Sequence, residues 1–351
     1  MKKSSGQQEK HLSAWQIGAV YIGTVVGAGF ASGQEILQFF GYFGLWGIAG
    51  LAVAVWLFGV LGAKVMLLAG RMGGSSYRPL IDAVGGQRLG PLLNFVITFF
   101  LFGILVAMVA GTGAAFKQEF GLPHSLGLGL MAGLSGLTVV AGLGRVIDAI
   151  SLVAPFLIIA VLGVSFYVLL AAPVDLAWSA PEEATLPGWP LSALAYVSYN
   201  LTLALPILAP MGSLAAPPTL KKGAFLGALG LGLSALAILL VIISEAPAVT
   251  KAEIPMLAIA AKVSPAVRRL YAFILVAEVY TTAIGSLYGF VSRLASPRRP
   301  LFKALAVFVA AAAFLAGHLG FAQIVATVYP AMGIAGFLFL FLLIKKRDRK
   351  T

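Results

Sequence analysis

The sequence contains no cysteine, and charged residues make up only 10% of its 351 positions. Without cysteine, the chain can form neither disulfide bonds nor thiolate metal sites. Soluble globular domains carry about 25% charged residues, whereas this chain is 60% hydrophobic. A chain with so little polar side-chain surface cannot cover itself in water, so we expect it to lie in a lipid bilayer.

Ten apolar runs follow one another along the chain. A hydrocarbon core of about 30 Å requires about 20 apolar residues in a helix. Glycine or proline marks most of the short connectors, and no connector is long enough for a folded domain. The pattern predicts an all-α integral membrane protein with ten transmembrane helices, at 14–41, 45–70, 89–117, 123–142, 146–172, 190–215, 221–246, 264–293, 301–318 and 320–344.

Lysine and arginine are concentrated in every second connector. If the N-terminus is cytoplasmic, the cytoplasmic segments hold eighteen of these residues and the external segments hold five, with Lys64 in neither set. Cytoplasmic loops of membrane proteins carry this excess of positive charge. We therefore predict that both termini are cytoplasmic, and we explain the net charge of +12 by membrane topology rather than by binding of nucleic acid.

The first span contains three glycines within residues 27–33. Each glycine weakens a helix by about 1 kcal/mol relative to alanine, although close packing through small residues is an alternative explanation. Ser32 to Glu35 follows the S-x-x-E pattern of a capping box, which begins a new helix. The pattern predicts a helix to Val26, a break at 27–32 and a second helix, with Glu35 either capping backbone donors or serving a chemical role.

The sixth span combines polar residues with a proline inside an apolar run. Asn200 tolerates a left-handed backbone, and Pro206 removes a backbone donor and clashes with the preceding turn. A single proline in a membrane helix usually produces only a kink. Because Tyr199 and Thr202 flank Asn200, we predict an unwound segment at 200–205.

The two interrupted spans are the first and the sixth of ten, and they therefore occupy equivalent positions in two halves of five. Since five is odd, the second half inserts with the opposite orientation. Discontinuous helices at corresponding positions of inverted repeats indicate a transporter binding site. The predicted organisation is a tail at 1–13, repeat 1 at 14–172, an external loop at 173–189, repeat 2 at 190–345 and a tail at 346–351.

The motifs of these two spans resemble known permeases. Residues 23–30, GTVVGAGF, resemble the first-span signature of the amino acid/polyamine/organocation (APC) superfamily, and 198–208 is similar to the sixth span of its aromatic and hydroxy amino acid permeases. The longer run 23–40, together with 254–257, resembles the YkvI family of bacterial permeases. The resemblance implies a LeuT-like fold with a 5+5 inverted repeat, discontinuous helices 1 and 6, and a location in the bacterial cytoplasmic membrane.

The same resemblance implies where a substrate and an ion would bind. Freed backbone N–H groups of span 1 would face an anionic group such as an amino acid carboxylate, and freed carbonyls would hold a cation. The implied sodium ligands are the carbonyls of Gly23 and Val26 and the hydroxyls of Thr281 and Thr282. The threonines could instead bond to carbonyls of their own helix. The candidate substrate residues are Gly27, Ala28, Gly29, Phe30, Ala31, Tyr199, Asn200, Thr202, Gly103, Ala107 and Glu278.

Glu278 is the most informative charge in the sequence. It lies about 18 Å from the outer end of span 8 at 1.5 Å per residue, and a carboxylate at that depth is a functional candidate. It precedes Thr281 and Thr282 by three and four residues, on the same helical face. It could carry a coupling proton, bind an amine, support a sodium site or be a structural acid. Gly103 and Ala107 of span 3 form a small-residue face, for which helix packing is the alternative reading.

We predict a secondary active transporter for an amino acid or a similar small amine, with sodium as the coupling ion and no other cofactor. A proton-coupled permease that uses Glu278 and a ligand-sensing receptor of the same fold are the alternatives. An enzyme is not expected: residues 133–136, GLSG, resemble an intramembrane serine protease motif, but His318 lies at the outer end of span 9. The expected partners are the small-molecule substrate and the lipid bilayer.

Overall fold

A computed structural model describes residues 12–73, 77–119, 121–171, 176–184, 186–246, 248–250, 252, 254–296, 299–319 and 336–346. Within these ranges the regular structure is helical, without a β-strand. Short 3₁₀ helices lie at Gly41–Phe43, Pro181–Glu183 and Gly317–Leu319. The α-helices are α1 (Ala14–Val25), α2 (Ala28–Ala31), α3 (Gln34–Phe39), α4 (Leu45–Arg71), α5 (Arg78–Glu119), α6 (His124–Val140), α7 (Leu143–Ala171), α8 (Trp189–Met211), α9 (Pro217–Glu245), α10 (Pro255–Val263), α11 (Pro265–Leu294), α12 (Pro300–Ala316) and α13 (Gly336–Lys345).

Six of these helices, α4, α5, α7, α8, α9 and α11, are long and apolar enough to cross a membrane. The helices α6, α12 and α13 are apolar but shorter, and the predicted first span is divided among α1, α2 and α3. The chain is therefore a multi-pass membrane protein. The count of ten spans stays a prediction, because residues 320–335 of the predicted span at 320–344 lie outside the described residues.

The share of buried residues shows which helices lie at the centre of the protein and which lie at its periphery. In α8, 18 of 23 residues are buried, whereas α7 buries 9 of its 29 residues. Large apolar side chains on the outer helices are widely exposed, for example Leu137 and Leu170 at 71%. Such surface is unfavourable in water but matches a lipid environment. The central helix α8 is thus the framework against which a buried site can form.

Small residues hold the first half of span 1 against α9. A Cβ atom at Gly18 would lie 3.3 Å from the backbone nitrogen of Gly227, so the two backbones approach closely there. On the neighbouring face, the Tyr21 hydroxyl donates a hydrogen bond of 2.7 Å to the Phe58 carbonyl of α4. These contacts fix the direction in which α1 enters the centre of the protein.

Helix α5 consists of two parts that fold back on each other. Gly86 has a positive φ of 64°, a conformation that glycine adopts without strain, and it reverses the chain. The Asn94 amide donates to the Asp82 carboxylate at 2.6 Å across this reversal. The predicted span at 89–117 corresponds to the second part, and the first part packs beside it.

Candidate functional site

The first span is not one continuous helix. α1 ends at Val25, and Val26 has an extended backbone with ψ of 123°. The four residues of α2 follow, and a turn then leads into α3. Gly33 in that turn has φ of +80°, which lies in the left-handed region that favours glycine. The interrupted region, residues 26–33, contains the predicted break at 27–32 and extends one residue further at each end.

The capping box predicted at Ser32 is not formed. Gly33 occupies the N-cap position of α3, and the Ser32 hydroxyl accepts from the Gln34 N–H at 3.2 Å while donating to the Gly29 carbonyl at 2.9 Å. The Glu35 carboxylate accepts a hydrogen bond from the Tyr199 hydroxyl of α8 instead. The Glu35 side chain therefore points to α8 rather than back to the start of its own helix, and the left-handed Gly33 takes the N-cap position in place of Ser32.

The sixth span differs from the prediction, because α8 continues as a helix through 200–205. The Thr202 hydroxyl donates to the Ser198 carbonyl at 2.8 Å, and the Asn200 amide donates to the Tyr196 carbonyl at 3.0 Å. Both polar side chains are thus satisfied by their own helix. Pro206 packs against α11, where a Cβ at Gly289 would lie 2.5 Å from the proline ring. The helix is continuous from Trp189 to Met211 and tightly packed at Pro206, so the predicted unwinding is wrong.

The hydroxyls of α11 lie beside the interruption of the first span. The Thr281 hydroxyl oxygen is 3.4 Å from the Gly23 carbonyl, 2.9 Å from the Glu278 carbonyl and 3.2 Å from the Glu278 carboxylate. The Thr282 hydroxyl is buried without a partner in the described structure, and a Cβ at Gly27 would lie 3.2 Å from it. We call Gly23, Glu278, Thr281 and Thr282 the oxygen cluster.

The oxygen cluster contains more acceptors than donors. The single proton of the Thr281 hydroxyl faces three acceptor oxygens within 3.4 Å. Glu278 is fully buried, and its second carboxylate oxygen has no hydrogen-bond partner among the described residues. The ion pairs found in those residues, Arg78–Asp82 and Lys262–Glu245, involve neither Glu278 nor its neighbours. A buried carboxylate oxygen without a partner is costly, so this geometry can accommodate a cation.

A narrow central cavity lies against the oxygen cluster, between α1, α3, α5, α8 and α11. Gly27, Tyr199 and Asn200, which the sequence placed at a substrate site, line it together with Thr281 and Thr282. From α5 it is lined by Ile104 rather than by the predicted Gly103 and Ala107. The full lining is Thr24, Val25, Gly27, Glu35, Ile104, Tyr199, Asn200, Leu203, Thr281, Thr282, Gly285 and Ser286.

The second half of the first span is anchored away from this lining. The Tyr271 hydroxyl donates to the Ala31 carbonyl at 2.7 Å, and the Met256 N–H donates to the Ser32 carbonyl at 2.9 Å. Phe30 is buried in the core. Gly29, Phe30 and Ala31 are therefore near the cavity in sequence but do not line it.

Sequence reasoning missed Glu35 as a lining residue, because the S-x-x-E pattern offered a local role. Its partner Tyr199 is 164 positions away, and only the fold brings the two together. Ile104 and Leu203 were missed because the sequence of an apolar helix does not show which of its apolar side chains face a cavity.

The serine-protease alternative finds no support here, since Ser135 contacts the Met131 sulfur at 3.8 Å and the His318 ring bonds to the Phe314 carbonyl.

No family model matches the chain. The chain is 31% identical to the uncharacterised membrane protein YkvI of Bacillus subtilis strain 168 over 346 residues, covering 96% of this chain and 97% of YkvI. It is 25% identical to the uncharacterised protein YyaD of the same organism over 332 residues, covering 92% and 93%.

Solved transporter structures share the fold. A Na⁺-coupled sialic acid symporter in a substrate-bound outward-open state matches with a TM-score of 0.67 at 13% identity, over 96% of this chain and 82% of that one. MhsT in complex with L-phenylalanine matches with a TM-score of 0.67 at 17% identity, over 96% and 88%. Mhp1, a nucleobase-cation-symport-1 family transporter, matches with a TM-score of 0.58 at 15% identity, over 93% and 78%. The chain therefore belongs to the YkvI family of membrane proteins and has the LeuT-like transporter fold.

Proposed function

We propose that this chain is a secondary active transporter that moves an amino acid or a similar small amine together with sodium by alternating access. The observation that carries the proposal is the oxygen cluster, in which one hydroxyl proton faces three acceptors beside the end of α1. Carbonyl and hydroxyl oxygens at the end of a broken membrane helix are suited to sodium. Two of the structural neighbours support this proposal by their names, one a Na⁺-coupled sialic acid symporter and the other a nucleobase-cation-symport-1 family transporter.

The proposal includes the site and the topology. Sodium would bind the carbonyls of Gly23 and Val26 and the hydroxyls of Thr281 and Thr282, and the substrate would occupy the adjacent cavity. Ten spans in a 5+5 inverted repeat, with both termini in the cytoplasm, would place this site near the middle of the bacterial cytoplasmic membrane. Support for the orientation comes from the distribution of lysine and arginine.

The test is the double substitution Thr281→Val and Thr282→Val, which keeps side-chain volume and removes both hydroxyls. The matched control is Thr112→Val, because Thr112 is a buried threonine whose hydroxyl bonds, among the described residues, to the Met108 carbonyl of its own helix. In purified protein, sodium should raise the melting temperature of the wild type and of the control but not of the double variant. An unchanged sodium response in the double variant would place the ion elsewhere.

Proton coupling through Glu278 is the second candidate, and the unpartnered buried oxygen of Glu278 supports it. Glu278→Gln keeps the shape and cannot ionise. If Glu278 carries the proton, the variant should bind substrate but fail to accumulate it in proteoliposomes when a proton gradient supplies the driving force. If Glu278 serves the sodium site, the sodium affinity itself should fall by about tenfold or more, as expected when a charged hydrogen-bond partner is removed.

A further inference from the structure

The central cavity is lined by one charged side chain, Glu35 of α3. Among the described residues that line it, none is lysine, arginine or histidine. The cavity also lies against the oxygen cluster, which contains the fully buried Glu278. The site thus holds two carboxylates and no basic side chain of its own.

Glu35 is held in one position by its neighbours. Its carboxylate accepts the hydroxyl proton of Tyr199. The Tyr199 ring stacks on Phe39 with 5.6 Å between centroids and meets Tyr196 edge-on at 5.8 Å. A single phenol donor leaves further lone pairs on the carboxylate unsatisfied. Those lone pairs are available to a donor that enters the cavity.

The carboxylate of Glu35 also occupies the place where a substrate carboxylate would be expected. It lies directly against Gly29, so closely that a Cβ at that position would collide with it. Gly29 belongs to the broken part of span 1, whose N–H groups were predicted to face an anionic substrate group. A substrate carboxylate placed at Gly29 would lie beside the Glu35 carboxylate, and two like charges in contact repel each other strongly in a buried site. The substrate group that approaches this end of the cavity must therefore be positive or neutral.

We propose that Glu35 binds the ammonium group of a small organic amine that lacks a carboxylate, and that Tyr199 positions the Glu35 carboxylate for this contact. The inference rests on the proposed transport function, in which the coupling cation neutralises Glu278 and the amine neutralises Glu35. Buried charges require such pairing. The apolar side chains of the lining, Val25, Ile104 and Leu203, suit a short hydrocarbon body.

The experiment uses pairs of compounds that differ only by the carboxylate. The pairs are L-leucine with 3-methylbutylamine, L-phenylalanine with 2-phenylethylamine, and L-lysine with 1,5-diaminopentane. Each compound is titrated against the purified full-length protein in sodium, with the melting temperature as the readout, and binders are then tested for sodium-driven uptake into proteoliposomes. The variants are Glu35→Gln and Tyr199→Phe. The matched control is Glu245→Gln, because Glu245 pairs with Lys262 away from the cavity.

In at least one pair, the amine should stabilise the wild type at a lower concentration than its amino acid. Glu35→Gln should weaken amine binding by about tenfold or more, Tyr199→Phe by about two- to tenfold, and Glu245→Gln should have no effect. Because the wild-type preference needs no variant, a misfolded Glu35→Gln protein would leave the inference testable.

Three results would overturn the inference: tighter binding of the amino acid in every pair that binds, binding of none of the amines, or unchanged amine affinity in Glu35→Gln. Sodium-driven uptake of amino acids alone would support the transport function while refuting the amine site. Binding of an amine that depends on Glu35, without uptake of any compound, would refute transport and support the amine site.

Discussion

The first and the sixth spans both carry residues that weaken a helix, yet the structure interrupts only the first. In span 1, glycines remove side-chain packing and Gly33 adopts a left-handed backbone. In span 6, Pro206 packs against Gly289, and Thr202 and Asn200 bond to their own helix. A helix breaker therefore does not by itself interrupt a membrane helix, and its surroundings decide the outcome. The following substitutions test that distinction.

The largest effect is expected at the turn of span 1. Gly33→Ala introduces a left-handed alanine and a Cβ only 2.9 Å from the Met256 side chain. We expect it to lower the free energy of unfolding by about 2 to 4 kcal/mol. The control is Gly73→Ala, which has a similar φ of +60° but nothing within 4 Å, and should lower stability by about 1 to 2 kcal/mol. Thermal unfolding of both proteins measures the difference, and equal losses would show that Met256 adds no constraint.

The next effect concerns binding rather than folding. Gly29→Ala places a Cβ where the Glu35 carboxylate lies, so Glu35 must move away from Tyr199. Affinity for the cavity ligand should fall by about tenfold, in line with loss of a charged contact. Gly133→Ala in α6 is the matched control, since its Cβ would meet nothing within 4 Å. If ligand titration gives the same affinity for Gly29→Ala and the wild type, Glu35 does not contribute to ligand binding.

A smaller effect is expected at the proline of span 6. Pro206→Ala restores a backbone donor in a helix that is already continuous, and it loses the ring that packs on Gly289. We expect a stability loss of about 1 to 2 kcal/mol from packing, with transport within about twofold of the wild type, a range that corresponds to less than 1 kcal/mol. A large loss of uptake with normal stability would instead indicate that span 6 unwinds during transport.

The smallest effect is expected for Thr202→Val. The Thr202 hydroxyl bonds only to the Ser198 carbonyl of its own helix and does not line the cavity. Its removal should change stability by less than about 1 kcal/mol and leave ligand affinity unchanged. Titration of substrate and sodium against this variant checks the result. A clear loss of affinity would show that Thr202 contributes to ligand binding, as the sequence predicted.

Local patterns predicted local features well. The glycine cluster indicated the interruption of span 1, and the spacing of Glu278 and Thr281 indicated a contact on one helical face, which the structure shows at 3.2 Å. The all-helical membrane fold followed from composition and from the apolar runs. These features depend on residues close in sequence, so periodicity and propensity are sufficient to predict them.

Features that depend on distant residues were not predictable. Glu35 matched a local capping pattern, but its partner lies on α8, and no periodicity indicates that pairing. Helix α5 is apolar on most sides, so its sequence does not show whether Gly103 or Ile104 faces the cavity. Pro206 has a clear intrinsic effect, yet the contact with Gly289 that offsets it joins two helices far apart in sequence.

The hydrogen bonds that hold the two parts of span 1 come from different helices. Tyr21 fastens α1 to α4, whereas Tyr271 and Met256 fasten Ala31 and Ser32 to α11 and α10. The non-helical backbone at Val26 and Gly27 joins these two parts, and the Thr282 hydroxyl of the oxygen cluster lies beside Gly27. Under the proposed function, a cation bound there would contact α1 and α11 together, so its binding would stabilise one arrangement of the two parts of span 1 over others.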